Sequence, residues 1–152
     1  MNIANFDDEF GRERFDDMEE KIRHYRRALN KKDRSSEELP GIDIVEGLVE
    51  YCLENEKFED AHEFCKLWIE YFPYSFDAWN KQAGILINLE KYPEALNAIN
   101  KALSFDPGDP EALTNKAIIL DYEGRAAEAK IYIDKALTLD PENDETLLHK
   151  GI

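Results

Sequence analysis

The sequence predicts an all-α fold, a solenoid of stacked helix–turn–helix hairpins behind an N-terminal capping helix. Three observations predict it. The 152-residue chain repeats itself at an offset of 34 residues, each unit carries two amphipathic stripes with a short break between them, and a further stripe of helical spacing precedes the first unit. A period of this size marks an architecture in which one hairpin cannot bury its apolar faces alone and a stack of them can.

Residues 1–41 stand outside the repeat. Phe15, Met18, Ile22, Tyr25 and Leu29 are spaced by three and four residues alternately, which predicts a helix over about residues 11–32 with one apolar seam. Residues 1–20 carry eight acids against Arg12 and Arg14, whereas residues 21–34 carry seven bases against Asp33. Acid at a helix start and base at its end both complement the helix dipole. The helix is expected to cap the first unit, with residues 34–41 as a connecting loop in which Ser35 and Glu38 form a capping box before Leu39-Pro40-Gly41. Aromatic residues do not alternate with the bases as stacking platforms would, so the basic stretch reads as a solvated helix face rather than a nucleic-acid site.

Three full units follow, at 42–75, 76–109 and 110–143, and a fourth begins at 144 and runs to 152. Pro73, Pro107 and Pro141 are 34 apart, as are Ala61, Ala95 and Ala129. In the second unit Trp79, Ala83, Leu86 and Leu89 make one stripe, and Ala95, Leu96, Ile99, Ala102 and Leu103 make the next, with Pro93 in the first turn of its helix. In the third unit the stripes are Leu113, Ala117, Leu120 and then Ala129, Ile133, Ala136, Leu137. Gly124 is placed to close the first of these helices in a left-handed conformation. Pro107 and Pro141 stop the second helix of their units.

Small residues at Ala83, Ala95, Ala117 and Ala129 let helices approach closely while Leu86, Ile99, Leu120 and Ile133 fill the gaps. The order Trp79, Ala83, Leu86, Ala95, Ile99, Ala102, Pro107 resembles the tetratricopeptide repeat, and so does Leu113, Ala117, Leu120, Ala129, Ile133, Ala136, Pro141. The first unit departs from it: Val45, Val49, Cys52, Ala61, Cys65, Trp68 and Pro73 keep the spacing but put Trp68 where the others have alanine. The resemblance covers residues 42–152. It implies a right-handed superhelix whose concave face is lined by the first helix of each unit.

Nothing in the sequence argues for catalysis or a cofactor. Acidic groups outnumber basic ones 34 to 19, a net charge of −15, and that field repels nucleic acid and anionic lipid. No apolar run approaches the roughly 20 residues of a membrane span. His62 and Cys65 could share a helix face as half of a zinc site, but the only other thiol is Cys52. Both cysteines fall in the columns held by Leu86 and Ile99, so they read as buried, reduced thiols and not as metal ligands. No phosphate loop, nucleophile elbow or metalloprotease motif is present. The expected setting is the cytoplasm.

The resemblance points to the concave face as the functional surface. Its expected residues are Asp43, Glu46, Gly47, Glu50, Leu53 and Glu54 in the first unit, and Asp77, Asn80, Lys81, Gly84, Ile87 and Asn88 in the second. Glu111, Thr114, Asn115, Ile118, Asp121 and Tyr122 follow in the third, with Glu145, Leu148 and His149 beyond. The peptide-binding set is Glu46, Glu50, Asp77, Asn80, Lys81, Ile87, Asn88, Glu111, Asn115, Ile118 and Tyr122. With eight acids against Lys81 alone, the groove favours a basic or neutral protein segment. Some tetratricopeptide domains grip chaperone-tail carboxylates with Lys, Asn and Arg; the matching positions here are Glu46, Glu50, Lys81, Glu111 and Asn115, and three acids of five would repel a carboxylate. The expected function is a non-catalytic protein-interaction scaffold. The alternative is a recruiting or regulatory arm of a longer protein or enzyme, because the fourth unit stops after its opening helix. That uncovered end is also expected to favour self-association.

Overall fold

The computed structural model describes residues 3–34 and 37–142, with side chains from residue 16 onward. Among the described residues there are seven helices and no strand: α1 (Ile3–Asn30), α2 (Ile42–Glu54), α3 (Phe58–Tyr71), α4 (Phe76–Asn88), α5 (Tyr92–Phe105), α6 (Pro110–Tyr122) and α7 (Ala126–Leu139). None is long and apolar enough to cross a membrane. The chain forms two compact units, 1–64 and 65–152, and the division falls inside α3. The partial fourth repeat, with the self-association expected of it, lies outside the described residues.

In the first unit α1 opens at Ile3 rather than near Gly11. A glycine inside a helix lowers its stability by about 1 kcal/mol but does not end it. Ile22 and Ala28 on α1 are buried, and Met18, Tyr25 and Leu29 are half-buried, so this part of the seam packs as its spacing requires; the Phe15 side chain lies outside the described residues. α1 lies against α2. Polar pairs fix its register: the Tyr51 hydroxyl donates to Glu19 at 3.2 Å, the Lys57 ammonium meets the same carboxylate at 3.0 Å, and Arg26 reaches Asp60 at 3.4 Å. Glu38 holds the Lys31 ammonium at 3.0 Å; Ser35, its expected capping partner, lies outside the described residues. Val45, Leu48, Val49, Cys52, Ala61 and Phe64 are fully buried.

In the second unit α4 packs on α5, α5 on α6, and α6 on α7. Ala83, Leu86, Ala95, Ala98, Ile99, Ala102, Ala112 and Ile119 form one buried cluster, and Ala117, Leu120, Ala129 and Ile133 form another. Helix starts are capped where a side chain allows it. Ser75 Oγ accepts from the Ala78 amide at 3.2 Å, and Asp109 Oδ1 accepts from the Ala112 amide at 2.8 Å. Trp68, which stands where the other units have alanine, is buried.

The turns within the three hairpins share one geometry. Gly124 is left-handed at φ 77°, as expected, and the residues 34 and 68 positions earlier, Glu90 and Glu56, are left-handed too, at φ 57° and 55°. Each turn closes with the same long backbone bond: Lys57 to Cys52, Lys91 to Leu86 and Arg125 to Leu120, at 2.7, 2.9 and 2.8 Å. This is the glycine-favouring helix ending, here built twice with glutamate. A side chain in that conformation costs about 1 kcal/mol. Glu56→Gly and Glu90→Gly are therefore each expected to stabilise the protein by about 1 kcal/mol, and Gly124→Ala to destabilise it by a similar amount. Urea unfolding midpoints measure this, and a loss of stability in both glycine variants would contradict it.

Candidate peptide-binding face

The residues expected to form the face lie on the first helix of each hairpin, α2 in the first unit and α4 and α6 in the second. In the second unit α4 and α6 are neighbours. Asn80 of α4 donates from Nδ2 to Glu111 Oε1 of α6 at 3.4 Å, which ties the two helices across this face. Its Oδ1 is buried and has no hydrogen-bond partner. One turn on, Gly84 leaves the α4 backbone bare: a Cβ placed there would meet no atom within 4 Å. The carbonyl of Gly84 accepts from Asn88 Nδ2 at 2.9 Å, so the Asn88 amide is folded back on its own helix. Asp77 and Glu111 are exposed, while Lys81, Asn115 and Ile118 are half-buried. Tyr122 is 65% exposed at the end of α6.

One residue expected on this face is buried. Thr114 is buried, with its hydroxyl donating to the Pro110 carbonyl at 2.8 Å. That bond removes most of the cost of burying a hydroxyl, so a polar residue takes a core position. Ile87 is half-buried against the α4–α5 cluster. In the first unit Glu46 and Glu50 are exposed on α2, and Gly47 between them also has open space where a Cβ would stand. Glu145, Leu148 and His149 lie outside the described residues.

Tyr92, at the start of α5, was not singled out by the sequence. Its ring stacks on that of Tyr122, with centroids 4.8 Å apart and planes 9° from parallel. Burial, then the charges of Glu90 and of Tyr122, raise the Tyr92 phenol above its ordinary value.

The thiols are poor nucleophiles. Burial pushes Cys52 up to about 12, helped by the Asp60 charge, and pushes Cys65 to about 12 against the opposing charge of Lys81. Cys65 Sγ donates to the Ala78 carbonyl at 3.3 Å. Among the described residues no group of three or more His, Cys, Asp or Glu is placed to hold a metal ion.

A protein-family model described as coatomer epsilon subunit matches residues 19–144. No curated protein matches the chain. Among solved structures, YrrB, described as a TPR protein with an unusual peptide-binding site, aligns with a TM-score of 0.70 and 21% identity, over 75% of this chain and 59% of that one. The match thus spans less than two thirds of YrrB. The first TPR domain of human RPAP3 aligns with a TM-score of 0.67 and 18% identity, over 71% and 85% of the two chains. The first TPR of Spaghetti (RPAP3), bound to the HSP90 peptide SRMEEVD, aligns with a TM-score of 0.68 and 18% identity, over 71% and 86%. At these identities the likeness is one of fold, the tetratricopeptide solenoid.

Proposed function

The chain belongs to the coatomer epsilon subunit family and folds as tetratricopeptide hairpins, and from that premise we propose that it is a non-catalytic protein-interaction module. It receives an extended, basic or neutral segment of a partner protein on the α4–α6 face. The observation that carries this is the Asn80–Glu111 tie beside bare helix backbone at Gly84. Mid-helix glycine costs about 1 kcal/mol relative to alanine, and close approach of another chain's backbone is what glycine uniquely permits. Asn115 supplies an amide able to bond a peptide backbone without regard to its side chains. Asp77 and Glu111 set the sign of the charge a guest must carry.

The descriptions of YrrB and of the Spaghetti complex support a peptide as guest for this fold. The family is named for a subunit, which supports a protein as the partner class. The Spaghetti guest is acidic; the carboxylates of the present face favour the opposite charge. Buried, unreactive thiols support the non-catalytic reading, and their unpaired state fits a cytoplasmic setting. Glu46 and Glu50 on α2 remain within the proposal as an acidic surface of the first unit.

Gly84→Trp tests it. The substitution favours the helix and plants a ring on the face, so the melting temperature is expected to hold or rise while proteins captured from a cell extract fall at least tenfold. Asn115→Ala should weaken capture several-fold with little change in melting. Undiminished capture by the Gly84→Trp protein would show that the face is not used.

A further inference from the structure

We propose that Tyr122, backed by Tyr92 and flanked by Glu90, is a seat for an arginine guanidinium carried by the segment that the α4–α6 face receives; this rests on that face being the binding face. The stack fixes the geometry. Tyr92 supports one side of the Tyr122 ring and sets its plane, and Tyr122 is still 65% exposed. Among the described residues Tyr122 has no other ring, cation or hydrogen-bond partner.

Two other rings, half-buried Tyr132 and exposed Phe105, make a useful contrast. Tyr132 is covered by two of the chain's own cations, Lys116 at 4.3 Å and Lys135 at 5.0 Å from its centroid, and Phe105 has Lys101 at 5.7 Å. Cation–π contact is thus one way in which this molecule covers its aromatic rings, and Tyr122, like the more exposed Tyr74, has no cation of the chain over it among the described residues.

The local charge says what would complete it. Glu90 stands two residues before Tyr92 and Glu123 directly follows Tyr122, and Glu90 has no ion pair among the described residues. Of the cations on these segments, Arg125 is already held by Glu128, at 3.0 and 2.7 Å, which leaves Lys91. An anion or a nucleic-acid base with its phosphate is disfavoured here. A guanidinium fits better than an ammonium, because it is planar, weakly hydrated, stacks flat on a tyrosine and still presents a fork of N–H groups to a carboxylate.

The probes are blocked hexaarginine and hexalysine peptides, which carry equal charge, so that their affinity ratio is insensitive to the −15 field of the chain. Titration calorimetry with the whole chain is expected to show hexaarginine at least fivefold tighter. Tyr122→Ala should bring the ratio close to one, and Glu90→Gln should weaken hexaarginine about threefold; neither is expected to shift the melting temperature by more than a few degrees. Glu90→Gly should raise the melting temperature and still weaken hexaarginine, a combination that a purely structural role for Glu90 would not produce. A ratio of one in the unchanged protein, or a ratio that survives Tyr122→Ala, overturns the seat. Gly84→Trp separates the two readings: if it weakens both peptides while Tyr122→Ala leaves their ratio intact, the face stands and the seat falls. If Gly84→Trp leaves both affinities unchanged, the face falls, and the seat falls with it.

Discussion

Ile99→Ala is expected to destabilise the protein by about 3–4 kcal/mol, in the upper part of the range for truncating a buried isoleucine. Ile99 has no exposed surface, and its cluster contains Ala83, Ala95, Ala98, Ala102 and Ala112 beside Leu86 and Ile119. Such a cost has two parts, the lost transfer of apolar atoms from water and the cavity left behind, and the second depends on whether neighbours can move in. Alanine side chains cannot. They have no rotamer that reaches further, and the helices carrying them are held by their own backbone bonds. A cavity at Ile99 therefore stays open. Against a total stability of about 5–15 kcal/mol for a domain, the loss is large enough to bring the chain close to unfolding at body temperature. Urea unfolding monitored by circular dichroism measures it, with Ile99→Val as the control, expected at about 1 kcal/mol. A cost near 1 kcal/mol for the alanine variant would mean that the helices collapse into the gap and that the alanine column is not a rigid contact.

The same columns explain what could be read before the structure. Val45, Val49, Cys52, Ala83, Leu86, Ile99, Leu120 and Ile133 are buried because a period of 34 superimposes them, and helical spacing within each unit then decides which side faces in. Gly124 declared its left-handed turn openly. Glu56 and Glu90 did not, since glutamate has no preference for that conformation, although the repeat offset from Gly124 leads to both. Thr114, expected on the concave face, is buried, and its side chain gave no sign of this because a hydroxyl bonded to the carbonyl one turn back is nearly neutral inside a core. The Tyr92–Tyr122 stack was illegible for a different reason. The two residues belong to different columns, whose other members are Phe58 and Ala126 for one and Glu54 and Asn88 for the other, so the pair occurs between the second and third hairpins without a repeat to announce it. Asn80 and Glu111 present the same difficulty, being 31 residues apart and not 34.

Alkaline pH is expected to unfold this protein unusually early, through its two thiols. Cys52 and Cys65 have no exposed surface, and each is raised from 9.0 to about 12, chiefly by burial. In the unfolded chain both thiols give up their protons near 9; in the folded one they keep them until about 12. Between those values the unfolded state binds fewer protons, so stability falls as pH rises. The stabilisation is complete below pH 9 and falls away at about 1.4 kcal/mol per pH unit for each thiol. By pH 10.5 the two together remove about 4 kcal/mol, a large share of a domain's stability. Tyr51 acts in the same direction from pH 10 upward, since burial and the Glu19 carboxylate raise its phenol to about 12. Unfolding midpoints in urea between pH 8 and 10.5 report the slope, and a Cys52→Ala/Cys65→Ala protein isolates the thiol part. That variant is expected to be less stable at pH 8, where its two cavities are felt, and to lose about 4 kcal/mol less than the parent on the way to pH 10.5. Parallel slopes for the two proteins would mean that the thiolates are tolerated in the fold, which is incompatible with two sulfurs sealed from water.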